Sequence, residues 1–303
     1  MPAPGRFAIA CWGPSGVFLC ACFGTCPRSV PGRAVRGMTT PAFRGVGAPA
    51  ACRKRDRNRV SPGRGSVLEI DDVRVERPGF VLHLARQRLD AGSRLTIVGP
   101  SGGGKSTLLR ALLGLEPRAS VRGLRWKGRD LHGLPPHRRP FAWMPQDLGL
   151  WPHLDALEHL AFARSRGARL RAVDEDHELL RQLGIGHRAH ARPLSLSAGE
   201  RQRLAFARVM AQQPQWAVLD EPFSHLDPVL AEELGHAFFT IARERGMGLV
   251  LVSHHIGRHQ RSSLQADPFW VIENGGVTQC GGWQDIARTP ATPWIERFVD
   301  LHH

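Results

Sequence analysis

The chain has 303 residues, of which 42% are hydrophobic and 22% charged, and its formal net charge at pH 7 is +14. It contains no apolar run of about 18 or more residues, so the sequence predicts a chain that does not span a membrane. A strongly basic chain usually invites a nucleic-acid interpretation, but the distribution of this charge argues against one.

The basic charge is concentrated in residues 1–66. Eleven of the 41 Lys and Arg lie in residues 1–64 against one acidic residue, Asp56, so this tail carries +10 of the net charge. It is also rich in Pro, Gly and Arg, a composition that cannot bury a core. We expect the tail to be disordered, or the true start to lie later, at Met38 or near Val67. Residues 67–303 are nearly balanced in charge and long enough for one α/β domain, and we expect no specific nucleic-acid binding.

The first predicted elements after the tail are strands. Val67–Val75 and Phe80–Leu84 are typical of an antiparallel edge. Phe80 is the only aromatic residue between Val67 and Gly99, and the chain contains no Tyr. Phe80 alternates with Leu82 and Leu84 as a core-facing strand residue would, so it is either a core residue or a platform for an adenine base.

A buried strand, Leu95–Val98, leads into a glycine-rich loop and a helix predicted over Thr107–Leu115. Gly99–Ser106 fits the pattern G-x-x-x-x-G-K-[ST], in which backbone N–H groups surround phosphates at the start of a helix. Lys105 would reach the β- and γ-phosphates, and the Ser106 hydroxyl would hold Mg²⁺ together with a distant carboxylate. The predicted nucleotide-binding residues here are Gly99, Pro100, Ser101, Gly102, Gly103, Gly104, Lys105, Ser106 and Thr107.

The middle of the chain changes from strand to helical spacing. A strand is predicted at Phe141–Met144, just before Gln146, and the apolar spacing between Gln146 and Ser197 is helical, which predicts a helical subdomain at about 147–205. Ser197 is a good N-cap for a helix that runs to about Ala211. A helix N-terminus with a Ser hydroxyl and the Gly199 amide is an anion site.

Two further strands are followed by carboxylate or imidazole side chains. Trp216–Leu219 delivers Asp220 and Glu221, of which Asp220 would complete the Mg²⁺ shell and Glu221 would polarise an attacking water as a general base. The alternative is a helix N-cap followed by a first-turn Glu. Leu249–Val252 is followed by His254. Strands that alternate with helices predict a mainly parallel sheet and an α/β fold.

Within the run Leu194–Arg203, residues 196–200 resemble the signature motif of ATP-binding cassette (ABC) ATPases, which usually reads Leu-Ser-Gly-Gly followed by Gln or Glu. Leu196, Ser197, Gly199 and Glu200 match it, and Ala198 departs by one methyl group. The resemblance covers roughly residues 67–300 and implies a P-loop NTPase core of the RecA type, with an antiparallel β edge and an inserted helical subdomain. It also implies a head-to-tail dimer, in which this motif faces the γ-phosphate of the ATP held by the other cassette.

The resemblance assigns further roles. Gln146 matches the residue that contacts Mg²⁺ and the attacking water and couples to membrane partners. His254 matches the histidine that senses the γ-phosphate, with His255 one position out of register. Ser224–Asp227 matches a loop that crosses the dimer interface, with His225 where a small residue is usual. The expected catalytic residues are Glu221, His254 and Gln146, and the expected metal ligands are Ser106, Gln146 and Asp220.

Two segments indicate a branch of the family. Leu134–Leu154 and Pro290–Val299 are similar to segments of bacterial importers of inorganic ions, polyamines and sugars. We therefore expect a Mg²⁺- and ATP-dependent ATPase that drives a separate transmembrane permease, with import as the expected direction. We expect it to lie at the cytoplasmic face of the membrane. Two alternatives remain: a soluble cassette ATPase acting on ribosomes or DNA, supported by the basic tail, and a catalytically weak regulatory cassette, suggested by Ala198 and His225.

Overall fold

The computed structural model describes residues 67–164, 173–224, 226–254 and 267–302. The predicted tail, His225 and His255 lie outside these residues. The described part of the chain contains thirteen strands and seven α-helices. The strands are β1 (Val67–Ile70), β2 (Asp72–Arg77), β3 (Phe80–Leu84), β4 (Gln87–Asp90), β5 (Arg94–Val98), β6 (Ala119–Arg122), β7 (Arg125–Trp126), β8 (Arg129–Asp130), β9 (Phe141–Met144), β10 (Trp216–Asp220), β11 (Gly248–Val252), β12 (Phe269–Glu273) and β13 (Gly276–Gly281). The helices are α1 (Lys105–Leu113), α2 (Ala156–Ala163), α3 (Val173–Gln182), α4 (Ala198–Ala211), α5 (Pro228–Glu244), α6 (Trp283–Arg288) and α7 (Pro293–Asp300).

Two sheets make up the framework. The larger has nine strands in the order β6-β2-β3-β13-β12-β5-β11-β10-β9, and the five from β12 to β9 are parallel to one another. The smaller sheet has the order β4-β1-β7-β8 and is antiparallel throughout. The α/β fold with an antiparallel edge that the sequence predicts is therefore confirmed.

The central strands are buried on both faces, as parallel strands covered by helices must be. Every residue of β5, β10 and β11 is buried. Successive residues point to opposite sides: Leu219 and Leu251 join the core with α4 and α5, whereas Val218 and Val250 join the core with α1. This explains why the three strands read as continuous apolar runs in the sequence.

Most predicted elements are confirmed, with one error. The predicted strand Val67–Val75 is two strands, because the chain breaks at Asp71 between β1 and β2. β1 pairs with β4 and β7 in the smaller sheet, whereas β2 pairs with β3 and β6 in the larger one. The periodicity of the segment carries no information about this change of sheet.

A group of helices lies between Gln146 and Ser197, where helical spacing is predicted. A buried ion pair joins the residue that ends α2, Arg164, to Asp176 of α3, with Nη2 2.6 Å from Oδ1. α3 and α4 pack together around Leu179, Leu180 and Leu204. No helix among the described residues combines the length and apolar character that a membrane crossing requires.

The C-terminal end of α1 depends on a distant arginine. Arg139 donates from Nη1 to the Leu112 carbonyl oxygen at 2.5 Å and from Nε to the Leu134 carbonyl oxygen at 3.1 Å. The last carbonyl groups of a helix have no partner within the helix and carry partial negative charge, so a cation there stabilises it. Burial lowers the pKa of the Arg139 guanidinium.

We expect Arg139→Met to lower the free energy of unfolding by about 1–2 kcal/mol, because it removes this charged cap of α1. Chemical denaturation of the two proteins measures the difference. Arg138→Met is the matched control, since Arg138 is exposed. Equal losses in the two variants would contradict the capping role.

Candidate functional site

The parallel strands bring the predicted site residues to one edge of the sheet. In the strand register Asp220 lies opposite Val252, Val252 opposite Ile97, and Leu219 opposite Met144. Residues that follow these strands therefore emerge side by side, at the carboxyl edge where open α/β sheets bind ligands.

The glycine-rich loop connects β5 to α1. Gly104 is the N-cap of α1 with φ of 106°, a left-handed conformation that favours glycine, and no side chain caps this helix. The first N–H groups of α1 are therefore available to an anion. Lys105 is buried, and its Nζ donates to the carbonyl oxygens of Gly99 and Pro100, each at 2.9 Å. Burial lowers the pKa of the Lys105 ammonium, and the carboxylates of Glu221 and Asp220 oppose this effect.

Asp220 lies at the end of β10 beside α1. The Ser106 side chain of α1 lies beside its carboxyl. Burial raises the pKa of the Asp220 carboxyl and the neighbouring Glu221 adds to this, while the Ser106 hydrogen bond and the Lys105 charge act in the opposite direction. Oδ1 of Asp220 is buried and has no hydrogen-bond partner among the described residues. A buried carboxylate oxygen of this kind is suited to binding a cation.

The three predicted catalytic residues meet at Glu221. Its Oε1 lies 2.7 Å from His254 Nε2, and its Oε2 accepts a hydrogen bond from Gln146 Nε2 at 3.1 Å. Glu221 has φ of 51°, which is uncommon for a residue other than glycine, and its N–H donates to the Val252 carbonyl oxygen. Strained backbone persists only where the surrounding structure holds it in place, and it is concentrated at functional sites.

The signature-like residues occupy the first turn of α4. The Ser197 side chain accepts from the Glu200 N–H at 3.2 Å, and Glu200 Oε2 accepts from the Ser197 N–H at 2.7 Å, which makes a capping box. Hydrogen bonds lower the pKa of Glu200 to about 2; the largest effect comes from the Ser197 amide, and the next from the Arg188 side chain. Gly199 packs against Leu230 of α5, and Ala198 is exposed. Among the described residues, no hydrogen bond joins this motif to residues 99–107 of the same chain.

One contact to the glycine-rich loop was missed from the sequence. The turn between β12 and β13 donates from the Gly275 N–H to the Gly103 carbonyl oxygen at 3.0 Å, and the Gly275 carbonyl oxygen accepts from the His83 N–H at 2.7 Å. Gly275 has φ of 78°, and a Cβ there would overlap the Val81 carbonyl oxygen. The dipeptide Asn274-Gly275 after an apolar run is a hairpin signal that could have predicted this turn.

Phe80 lies next to the same loop. Its ring is partly buried against the core on the α1 side of the sheet, and a Cβ on Gly104 would lie 2.9 Å from Phe80 Cζ. The predicted core contact is confirmed, while a stacking role toward a base stays a prediction.

The sequence model of the ABC transporter family matches residues 82–224. The chain is 31% identical over 240 residues to an uncharacterized ABC transporter ATP-binding protein of Sinorhizobium fredii, covering 78% of this chain and 69% of that protein. It is 34% identical over 241 residues to a spermidine/putrescine import ATP-binding protein of Acidothermus cellulolyticus, covering 77% of this chain and 61% of that protein. A solved ATP binding subunit of an ABC transporter superposes with a TM-score of 0.61 at 25% identity, covering 78% of this chain and 99% of that one.

The raised pKa of Asp220 makes stability depend on pH in a defined direction. Above that pKa the ionised, buried carboxylate destabilises the fold, and this effect disappears as falling pH protonates it. We expect Asp220→Asn to raise the melting temperature by a few degrees at about pH 7, and the gain to shrink at about pH 4. Thermal melts at the two pH values test this, with the exposed Asp90→Asn as control. A pH-independent gain would point to a different cause.

Proposed function

This chain belongs to the family of ABC transporter ATP-binding proteins, and from that premise we propose that it hydrolyses ATP to drive transport, most specifically import, through a separate transmembrane permease. The observation that carries the proposal is the Glu221 carboxylate, held between His254 and Gln146 beside a phosphate-binding loop. A capped helix or a glycine-rich turn alone would not require these three side chains to meet.

The glycine-rich loop supplies the binding energy for the nucleotide. The free N–H groups at the start of α1 and the Lys105 ammonium both favour negative charge. Lys105 is buried among carbonyl oxygens, so a phosphate would replace neutral acceptors with charged ones and strengthen its hydrogen bonds. Water screens this charge only weakly, because Lys105 itself is buried.

A magnesium ion fits the group beside this loop. Asp220 offers a buried oxygen without a partner, and the Ser106 hydroxyl lies against the same carboxylate. Oxygen donors of this kind are the ligands that Mg²⁺ prefers, and we assign Asp220, Ser106 and Gln146 to it. When bound, the ion neutralises charge on the phosphate groups.

Glu221 is the general base in this proposal. Gln146 and His254 each engage one carboxylate oxygen, so together they fix the rotamer of the group that would accept a proton from the attacking water. Glu221 contacts Gln146 and His254 whereas Asp220 lies beside Ser106, so in this proposal the adjacent carboxylates divide between base and metal ligand. Gln146 and His254 also lie where they would orient the water and the γ-phosphate.

A second copy of the chain completes the site. The Ser197 end of α4 is exposed and makes no hydrogen bond to residues 99–107 among the described residues, so it is free to meet a nucleotide held elsewhere. We assign it to the ATP of a head-to-tail partner.

The names of importer relatives support a permease partner and import, which would place the protein at the cytoplasmic face of the membrane. Native affinity capture from detergent-solubilised membranes tests this: recovery of a permease supports it, and recovery of ribosomes contradicts it.

Glu221→Gln should retain ATP binding but lower turnover at least about a hundredfold, because an amide cannot accept the proton of the attacking water. The same variant should accumulate as an ATP-bound dimer. Steady-state hydrolysis and size-exclusion chromatography with ATP measure both effects, with the exposed Glu232→Gln as control. Brisk hydrolysis by Glu221→Gln would remove it from the role of base.

Ser197 has two separable roles, one in capping α4 and one toward the partner's nucleotide. Ser197→Ala should lower the free energy of unfolding by about 1 kcal/mol, whereas Ser197→Asp keeps an N-cap acceptor and should not. In the Glu221→Gln background Ser197→Asp should nevertheless abolish the ATP-dependent dimer, because its carboxylate would repel the γ-phosphate. A stable dimer of that variant would show that Ser197 does not face the nucleotide.

A further inference from the structure

The turn that follows Gln146 has an unusual backbone. Leu148 and Gly149 both adopt left-handed conformations, with φ of 64° and 57°, and the Leu148 N–H donates to the Pro145 carbonyl oxygen at 2.9 Å. A left-handed conformation is unfavourable for a residue other than glycine, so the surroundings of Leu148 must hold this turn. The direction of the Gln146 side chain depends on this turn.

One arginine holds the turn. Arg208 lies three turns along α4 from Ser197, and its guanidinium donates to the carbonyl oxygens of Gly149 and, at 2.8 Å, Leu148. The guanidinium also lies 5.4 Å from the centroid of the Trp151 ring. Only 5% of Arg208 is exposed. Burial lowers its pKa to about 10, and the carboxylate of Asp147 opposes this.

The other end of the turn is fixed by a buried histidine. The Trp151 N–H donates to His159 Nε2 at 2.9 Å, and His159 Nδ1 lies 2.6 Å from the Asp155 carbonyl oxygen. The neutral ring with its proton on Nδ1 satisfies both contacts. Trp151 also packs edge-on against Phe162, with centroids 4.8 Å apart. The turn is therefore held by buried groups behind it, while Gln146 reaches forward to Glu221.

The same helix contacts the segment after Glu221 as well. Gln202 is buried in α4, and its Nε2 donates to the Pro222 carbonyl oxygen. α4 thus carries the signature-like residues at its start, a contact to the Glu221 segment in its first half, and Arg208 in its second half. A shift of this helix would change the position of both partners in the Gln146–Glu221 hydrogen bond.

We propose that Arg208 is a positioning residue for hydrolysis: it holds the Leu148–Gly149 turn so that Gln146 Nε2 stays against the Glu221 carboxylate. Through Arg208, the helix that would touch the partner's nucleotide also sets the geometry of the chain's own base. This inference rests on the proposed ATPase function. A purely structural role for Arg208 would instead affect stability alone.

Arg203 offers a matched comparison. It is also on α4, and its Nη1 donates to a loop carbonyl, that of Leu183, at 2.8 Å. Leu183 lies in the helical region after α3, remote in sequence from Gln146. Arg203→Lys therefore disturbs a contact of the same chemistry without touching the Leu148–Gly149 turn.

A double-mutant cycle tests the proposal in the full chain with its partners. Arg208→Lys should lower kcat at least about tenfold at unchanged nucleotide affinity, because a lysine cannot donate to both carbonyl groups in the arginine's geometry. In a Gln146→Ala background the same substitution should have no further effect, since Arg208 acts through Gln146. Independent, multiplying effects of the two substitutions would overturn the proposal. Arg203→Lys should leave kcat within about twofold of the parent.

Hydrogen exchange provides a readout that does not need hydrolysis. Without nucleotide, the amides of residues 146–151 should exchange faster in Arg208→Lys than in the parent or in Arg203→Lys. Unchanged exchange there would overturn the inference, whereas a parent that exchanges as expected but never hydrolyses ATP would overturn only the proposed function. If Arg208→Lys does not fold, Arg208→Gln, which removes the buried charge and keeps a single amide donor, takes its place in both experiments.

Discussion

The parallel pairing of β9, β10, β11 and β5 is the constraint on which the rest of the structure depends. Their shared direction places four loops at one edge of the sheet, although the residues concerned are far apart in the chain. Apolar side chains cover both faces of these strands, so a slip of one residue would move each side chain into the opposite core and disrupt the packing there. The burial of the sheet therefore fixes the register, and the register in turn fixes which side chains meet at Glu221.

The site at this edge of the sheet contains buried charged groups that the surrounding protein stabilises only in part. Burial disfavours the ionised forms of both Lys105 and Asp220, and Glu221 has a strained backbone. The two buried charges would become less unfavourable with a phosphate beside Lys105 and a cation beside Asp220, because each charge would then gain a partner at short range. The fold thus maintains a polar arrangement that suits the proposed nucleotide and metal ion, as preorganised sites that stabilise charge do.

Helix α4 is the second organising element. Its capping box stabilises the first turn, and polar side chains along it donate to the segment after Glu221, to the helical region and to the turn after Gln146. These donors satisfy carbonyl groups that irregular backbone would otherwise bury without partners. Helix α4 therefore connects the exposed residues at its start, through buried hydrogen bonds, to the segment after Glu221 and to the turn after Gln146.

Local pattern was sufficient to predict much of this protein. The spacing of Gly99–Ser106 predicts a phosphate loop before a helix, and Ser197 with Glu200 predicts a helix start, because backbone turns and caps depend on neighbours in sequence. The sequence also predicts β3 and β9 with the observed ends, and it places Gln146, Glu221 and His254 in one site, though partly through family resemblance. These are features for which short-range chemistry or a specific motif carries the information.

Only the tertiary structure decided how distant segments interact. Residues 67–75 divide between two sheets, and no local pattern predicts this. No local pattern predicts that the Gly275 turn contacts the glycine-rich loop, or that Arg208 donates to the Leu148–Gly149 turn. The same holds for the burial that raises the pKa of Asp220. Sequence periodicity reports which face of an element is buried, but not which element covers it. That choice follows from packing the whole chain at once.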